Sequence, residues 1–236
     1  MPSPQLWVVS LGTVPYADAL ELQRSVAAQR ISGEVSEDVL LLMEHPPVVT
    51  LGRSTRNANL TASPELLKAR GVELFEVERG GDVTFHGPGQ LVGYPIIDLK
   101  RHKQDLHWYL RTVEQALIDT LEALGIAAGR NTGYTGVWTG GKKIASIGVH
   151  ARDWVTWHGF ALNITTDLSY FDLMVPCGIP DVTMTSVARE LSPSSMTVSK
   201  VGDVAARAFA RLLSLEPVYF DEWPTHPAPT NRAREQ

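Results

Sequence analysis

The sequence predicts one mixed α+β (α/β) domain over residues 1–217, built on a mixed, largely antiparallel sheet packed with helices, and a loosely ordered tail over residues 218–236. Three observations predict it. Strand-like and helix-like segments interleave without a regular strand–helix–strand rhythm, which disfavours a doubly wound parallel sheet. Composition shows no break before about residue 217, so nothing marks a second domain. The chain has 236 residues, 44% of them hydrophobic and 20% charged, enough to bury one large core.

Each element has its own local cause. The apolar run Leu6 to Leu11 reads as a buried strand. Pro15 then opens a stretch rich in Ala, Leu, Glu and Gln that Gly33 can close, proline suiting a first helical turn and glycine the exit. Val39–Met43 and Val48–Leu51 read as two strands around the Pro46-Pro47 turn. Ser63 as cap, Pro64 at the first helical position and Gly71 beyond the end bracket a short helix, and the alternation from Val72 to Val77 returns to strand. Asp105 precedes a stripe of Leu106, Tyr109, Val113, Leu117, Leu121 and Leu124 that ends at Gly125, the spacing of one apolar helical face. Between Thr135 and Ile164, β-branched and aromatic residues around Gly140-Gly141 predict an antiparallel meander. Val201, Val204, Ala205, Ala208 and Leu212 mark a last helix, and Pro224, Pro227 and Pro229 mark the tail.

Composition excludes several classes of function. With 21 Lys and Arg against 26 Asp and Glu the formal charge is −5, which argues against broad binding to nucleic acid or to an anionic membrane. A single cysteine, Cys177, permits no disulfide within the chain and no cysteine-rich metal site. No run approaches the ~18 apolar residues of a membrane span and the start lacks a secretory h-region, so a cytoplasmic protein is expected. Neither a Walker loop nor a dinucleotide fingerprint occurs, and the seven histidines show no metal-ligand spacing. The expectation is no metal and no cofactor. The compact basic run Lys100 to Lys103 fits a solvated loop or a dock for an acidic protein.

Three segments carry candidate chemistry. Arg79 to Tyr94 packs five glycines and a proline around Arg79, Thr84, His86 and Gln90, so backbone can approach a ligand closely; it is either a binding loop or a glycine-rich turn between strands. Cys177 lies between Pro176 and Gly178, which suits an exposed nucleophile, although a lone cysteine also serves as a small buried hydrophobe. A nucleophilic thiol needs a nearby cation or base, and Lys142, Lys143, His86, His150 and His158 are the candidates. Lys143 stands out, because it opens a β run in which residues 143, 145 and 147 would share one face; desolvated there it is a base, and at a hairpin it is an ordinary surface lysine.

Read together, these segments resemble the lipoyl(octanoyl) transferases of the biotin/lipoate protein ligase superfamily. The signature Arg-Gly-Gly-x-x-Thr-aromatic-His-x-x-Gly-Gln is met from Arg79 to Gln90, Lys-Ile-Ala-Ser-Ile-Gly from Lys143 to Gly148, and His158 to Asn163 with Pro176-Cys177-Gly178 complete the set. The resemblance runs from about Leu6 to Leu215 and implies a biotin/lipoate ligase-like catalytic domain. It implies transfer of an octanoyl group from octanoyl-acyl carrier protein to a lysine of lipoyl domains, those of 2-oxoacid dehydrogenase E2 subunits and of glycine cleavage H protein. It also implies that Cys177 carries the acyl group as a thioester while Lys143 lowers the thiol's pKa. The residues matching the family's substrate contacts are Arg79, Gly80, Gly81, Asp82, Val83, Thr84, Phe85 and His86, then Ser146, Ile147 and Gly148, then Gly159, Phe160 and Ala161. A closed apolar tunnel is expected for the tail, and backbone N–H groups near Cys177 or in the glycine-rich loop are expected to hold the oxyanion. The alternative within the superfamily is an ATP-dependent lipoate or octanoate ligase.

Overall fold

The apolar runs are continuous because both faces of the main sheet are covered. The computed structural model describes residues 3–191 and 196–224. Its first half runs β1 (Gln5–Thr13), α1 (Tyr16–Ser32), β2 (Asp38–Glu44), β3 (Val48–Leu51), α2 (Pro64–Ala69), β4 (Glu73–Glu76), β5 (Thr84–His86), β6 (Gln90–Ile96) and α3 (Leu106–Ala123). The second half runs β7 (Gly129–Asn131), β8 (Tyr134–Thr139), β9 (Lys142–Arg152), β10 (Val155–Asn163), α4 (Val187–Glu190), α5 (Val198–Leu213) and β11 (Glu216–Phe220). Eight strands form one sheet in the order β11-β1-β2-β6-β10-β9-β8-β7, and β4-β3-β5 form a second. In the large sheet only β1 pairs in parallel, with β11 and with β2. Its other pairings are antiparallel.

Alternate residues of each central strand feed two separate cores. Leu6, Val8, Leu40, Leu42, Leu91, Phe160 and Leu162 pack with α3 and α5. Trp7, Val9, Val39, Leu41, Val92, Tyr94 and Ala161 pack with α1. The period of two in side-chain direction therefore survives inside an unbroken apolar run, which is why the run reads as buried strand.

The helix ends follow the sequence. Gly33 exits α1 at φ 81°, the Ser63 hydroxyl accepts from Leu66 N–H, and Asp105 accepts from His107 and Trp108 N–H at the start of α3. The meander is β8–β9–β10, turning at Gly140-Gly141 with φ 52° and 77°. Pro46-Pro47 does separate two strands, but they belong to different sheets: β2 lies in the large one and β3 in the small one. In the basic run only His102 is part-buried, while Lys100, Arg101 and Lys103 are exposed. His102 Nε2 lies 2.6 Å from the buried Asp38 carboxylate, which also holds Arg30 at 3.0 Å and the Asp98 N–H at 2.9 Å.

The first residues of the expected tail belong to the sheet. Val218, Tyr219 and Phe220 belong to β11, paired with Trp7, Val8 and Val9, and Phe220 and Trp223 pack at 5.4 and 6.4 Å from the Trp7 ring. The prolines and acids from Asp221 onward hid the last three residues of a five-residue strand that completes the sheet edge. The rest of the expected tail, residues 225–236, lies outside the described residues.

Candidate active site

The glycine-rich segment links the two sheets. It leaves β4, crosses the edge of β9, forms β5 and turns at residues 87–89 into β6. Gly80 N–H donates to Val149 O at 2.8 Å, docking the loop against β9. Gly148 is required there, because a Cβ on it would sit 2.7 Å from Gly80 O. Arg79 is buried, its guanidinium donating to Thr50 O, Thr50 Oγ1 and Gly80 O, so it fixes the loop and brings a cation under it. Between loop, β9 and β10 lies a cavity of about 260 Å³.

A β-bulge decides which side chains of β9 face this cavity. Val137 pairs with Ala145, but Trp138 pairs with Lys143, so Ile144 is an extra residue on β9. Ile144 and Ala145 both join the α3/α5 core, and Lys143 lines the cavity together with Ser146. The expected sharing of one face by 143, 145 and 147 is thus corrected, since the bulge resets the alternation between 143 and 146. Lys143 is 1% exposed, whereas its neighbour Lys142 reaches outward to Glu190 at 3.5 Å.

Cys177 stands on a helical turn, Pro176–Gly178, with φ 56° and ψ 19°. A non-glycine residue in the left-handed region is strained, and such strain persists where neighbours hold it. Here Cys177 N–H donates to Val83 O at 2.9 Å, tying the turn to the glycine-rich loop. The chain then runs beside β9, with Lys143 N–H donating to Thr183 O and Thr185 N–H to Lys143 O. That zipper brings residues 143 and 177 into one site. Ser146 Oγ lies 3.5 Å from Cys177 Sγ. Burial alone would raise the thiol's pKa, but the Lys143 charge, the Ser146 hydroxyl and the Arg79 guanidinium together bring it below its ordinary value.

Burial lowers the pKa of His45, His86, His150 and His158, which favours their neutral forms. Burial, with His45 nearby, pushes His86 down to about 3, and burial pushes His45 to about 4. Gln90 Nε2 donates to Phe85 O and Asn163 Oδ1, so its Oε1 accepts from His86 Nδ1–H at 2.9 Å, which fixes that tautomer. His45 bridges Val14 O and Tyr94 Oη, both at 2.7 Å. His158 is 1% exposed with φ 55°, and burial lowers its pKa as well. His150 lies half-buried against Trp157 and does not line the cavity.

The cavity walls collect Arg79, Gly81, Asp82, Thr84, His86, Lys143, Ser146, Ile147, Gly148, Gly159, Phe160, Ala161 and Cys177 from the sequence expectation. Gly80, Val83 and Phe85 do not line it. Gly80 docks the loop, Val83 anchors the Cys177 turn, and Phe85 packs into a third apolar cluster, stacked on Tyr170 at 4.5 Å. The lining is not uniformly apolar as expected: Ile147, Phe160 and Ala161 form one part, while Tyr16, Tyr94 and His158 add polar groups. Sequence reasoning missed Tyr16, Tyr94, Tyr134 and Thr135, each of which reads from its own segment as core or turn. The turn's own amides at 177, 178 and 179 donate to Val83, Val175 and Pro176 carbonyls, so an oxyanion must look to the glycine-rich loop and the Ser146 hydroxyl. Among the described residues no group of three or more His, Cys, Asp or Glu could hold a metal ion. Nor, among them, is any helix long and apolar enough to cross a membrane.

Comparison with known proteins gives the family and the fold. Residues 15–210 match the family described as the lipoyl protein ligase A/B catalytic domain. A protein named octanoyltransferase from Solibacter usitatus is 51% identical over 206 residues, 87% of this chain and 92% of its own. Another of that name, from Gloeobacter violaceus, is 47% identical over 209 residues, 89% and 90% of the two chains. Among solved structures, lipoate-protein ligase A bound with ATP superposes with a TM-score of 0.71 at 18% identity, covering 94% of this chain and 89% of that one. A bipartite lipoate protein ligase from Thermoplasma acidophilum gives 0.70 at 19% identity, covering 94% and 87%. At such identities the two structures speak for the fold alone.

Proposed function

This chain belongs to the family of lipoyl protein ligase A/B catalytic domains and is an acyltransferase, an octanoyltransferase of protein lipoylation, and from that premise we propose that it works through a Cys177 thioester. The donor is octanoyl-acyl carrier protein. The acceptor is a lysine of a lipoyl domain, on 2-oxoacid dehydrogenase E2 subunits and glycine cleavage H protein, and the reaction takes place in the cytoplasm without metal, ATP or cofactor.

The observation that carries this reading is the Cys177 thiol itself. It borders a cavity, on a strained turn, and Lys143, Ser146 and Arg79 all favour its thiolate. Cys177 thiolate attacks the donor thioester carbonyl; the tetrahedral intermediate collapses, the carrier's sulfur leaves, and Lys143 gives it a proton. The acceptor's neutral amine then attacks the Cys177 acyl thioester, passes a proton to Lys143, and expels Cys177 as thiolate. The ammonium–thiolate pair is regenerated and protons balance over the two halves. The octanoyl chain lies against Ile147, Phe160 and Ala161, with Arg79, Gly81, Asp82, Thr84 and His86 on the walls around it.

Intact-protein mass spectrometry after mixing with octanoyl-acyl carrier protein, without ATP, tests the proposal. One added octanoyl group, mapped to Cys177 and absent from Cys177→Ser, is the expected result. Acceptor acylation that needs free octanoate and ATP, with no adduct on the enzyme, would replace this reading by that of an ATP-dependent ligase.

A further inference from the structure

Lys143 is buried, and besides the Cys177 thiol its Nζ meets two neutral groups. Nζ donates to Thr135 O at 3.3 Å and stands 5.0 Å from the centroid of the Trp138 ring. Taking an ammonium out of water is costly unless it is compensated, and an aromatic face compensates through its quadrupole, more strongly where water is excluded. Trp138 is itself 6% exposed, so its ring meets the charge in a dry place.

The backbone is shaped to make this cradle. Gly136 has φ 136°, and a Cβ there would fall 2.7 Å from Ala145 O and 2.9 Å from Lys143 Cε, so only glycine lets β8 come this close to the lysine stem. Gly136 N–H donates to Glu114 Oε1 at 3.2 Å. Glu114, 1% exposed on α3, is in turn held by Arg111 at 2.6 Å and Arg130 at 2.9 Å. This places a charged network from the surface directly behind the strand that carries Thr135 and Trp138. The bulge at Ile144 completes the geometry, because it sets Lys143 opposite Trp138 and on the same wall as Ser146.

The geometry points to Trp138 as the positioning residue of the Cys177–Lys143 pair: its ring face, with the Thr135 carbonyl, holds the Lys143 ammonium against the thiol. The inference rests on the reading of Lys143 as the group that acts on Cys177. Trp138 does not line the acyl cavity, so it acts through Lys143 and not on substrate. A leucine in its place keeps the site apolar, though smaller, and removes the quadrupole; a phenylalanine keeps a smaller, weaker face.

The test is the pH profile of Cys177 alkylation by iodoacetamide, which needs no acyl donor and so stands apart from the transferase reading. In Trp138→Leu the midpoint should rise by about one unit, slowing alkylation at neutral pH about tenfold, while Trp138→Phe stays within about threefold of the parent. In a Lys143→Met background the same Trp138→Leu change should add less than about twofold, since the ring then has no cation to hold. Where Trp138→Leu fails to fold, fluorotryptophan placed at position 138 grades the quadrupole at nearly constant shape, and the midpoint should climb with each fluorine. An unmoved midpoint in Trp138→Leu, or an equal shift with Lys143 absent, or no trend with fluorination, overturns the assignment. A shifted midpoint in an enzyme that accepts no octanoyl group would leave the positioning role standing and remove the transferase reading instead.

Discussion

The two halves of the active site are built in opposite ways. Lys143 and Ser146 sit on β9, an eleven-residue strand at the heart of the large sheet, paired on both sides and carrying a bulge. Cys177 sits on a three-residue turn outside either sheet, in a left-handed conformation, with its N–H tied to Val83 O. The electrostatic partner is thus rigid and buried, and the nucleophile is presented by a short irregular segment that the rest of the chain holds in place. On the proposed reading, local backbone geometry presents the bond-forming thiol and the sheet fixes the charge that favours its thiolate.

Breaking the turn side should have the larger effect. Cys177→Ala is expected to lower transfer by at least ~10⁴-fold, because the bond-forming atom is gone, with thermal stability close to the parent's. On the strand side, Lys143→Met should cost ~10²–10⁴-fold in transfer, the range for a lost proton-transfer group, and should move the Cys177 alkylation midpoint upward. The sign follows from the thiol's lowered pKa: with its stabilising cation removed, less thiolate exists at any pH below the midpoint.

The frame beneath both halves can be broken without touching either. Burial would raise the Asp38 carboxyl, but His102, the Asp98 amide and Arg30 together bring it below the ordinary aspartate range. Its stabilising contribution is therefore present above about pH 4 and disappears as pH falls through the lowered folded-state value. Asp38→Asn should cost about 3 kcal/mol, the low end for removing one partner of a buried pair because Arg30 keeps Asp98 at 3.9 Å, and should flatten the acid limb of stability against pH. Urea melts from pH 3 to 7 measure this, and alkylation kinetics of the remaining folded protein should match the parent's. A smaller change sharpens the contact between the halves. Gly148→Ala places a Cβ against Gly80 O and is expected to cost about 1–3 kcal/mol while opening the glycine-rich loop, seen as weaker octanoyl loading in a folded protein.

The same contrast explains what was legible in the sequence. Helix bounds at Ser63, Asp105 and Gly33, and the antiparallel meander, are local features, and local chemistry fixes them. The glycine-rich loop and the Pro-Cys-Gly turn are also local, and their residues announced the site. Hidden were the features that depend on pairing. The bulge at Ile144 leaves no mark in Lys143 to Val149, so alternation alone put Ala145 on the face of Lys143, whereas Ser146 shares it. The separation of β2 from β3 into two sheets, and the addition of β11 to the edge of β1, are decided by partners distant in the chain. Trp138 and Thr135 reach Lys143 only because β8 folds back at Gly140-Gly141. Their meaning is a distance, not a spacing.

The central claim is that Cys177 carries the acyl group between donor and acceptor. Rapid-quench analysis of enzyme preloaded with labelled octanoyl group and mixed with excess apo lipoyl domain tests it most directly. The account predicts that label leaves Cys177 as it appears on the acceptor lysine, one for one, at a rate no slower than steady-state turnover. Label that stays on Cys177 while the acceptor is acylated from unlabelled donor, or that leaves it more slowly than turnover, would contradict it.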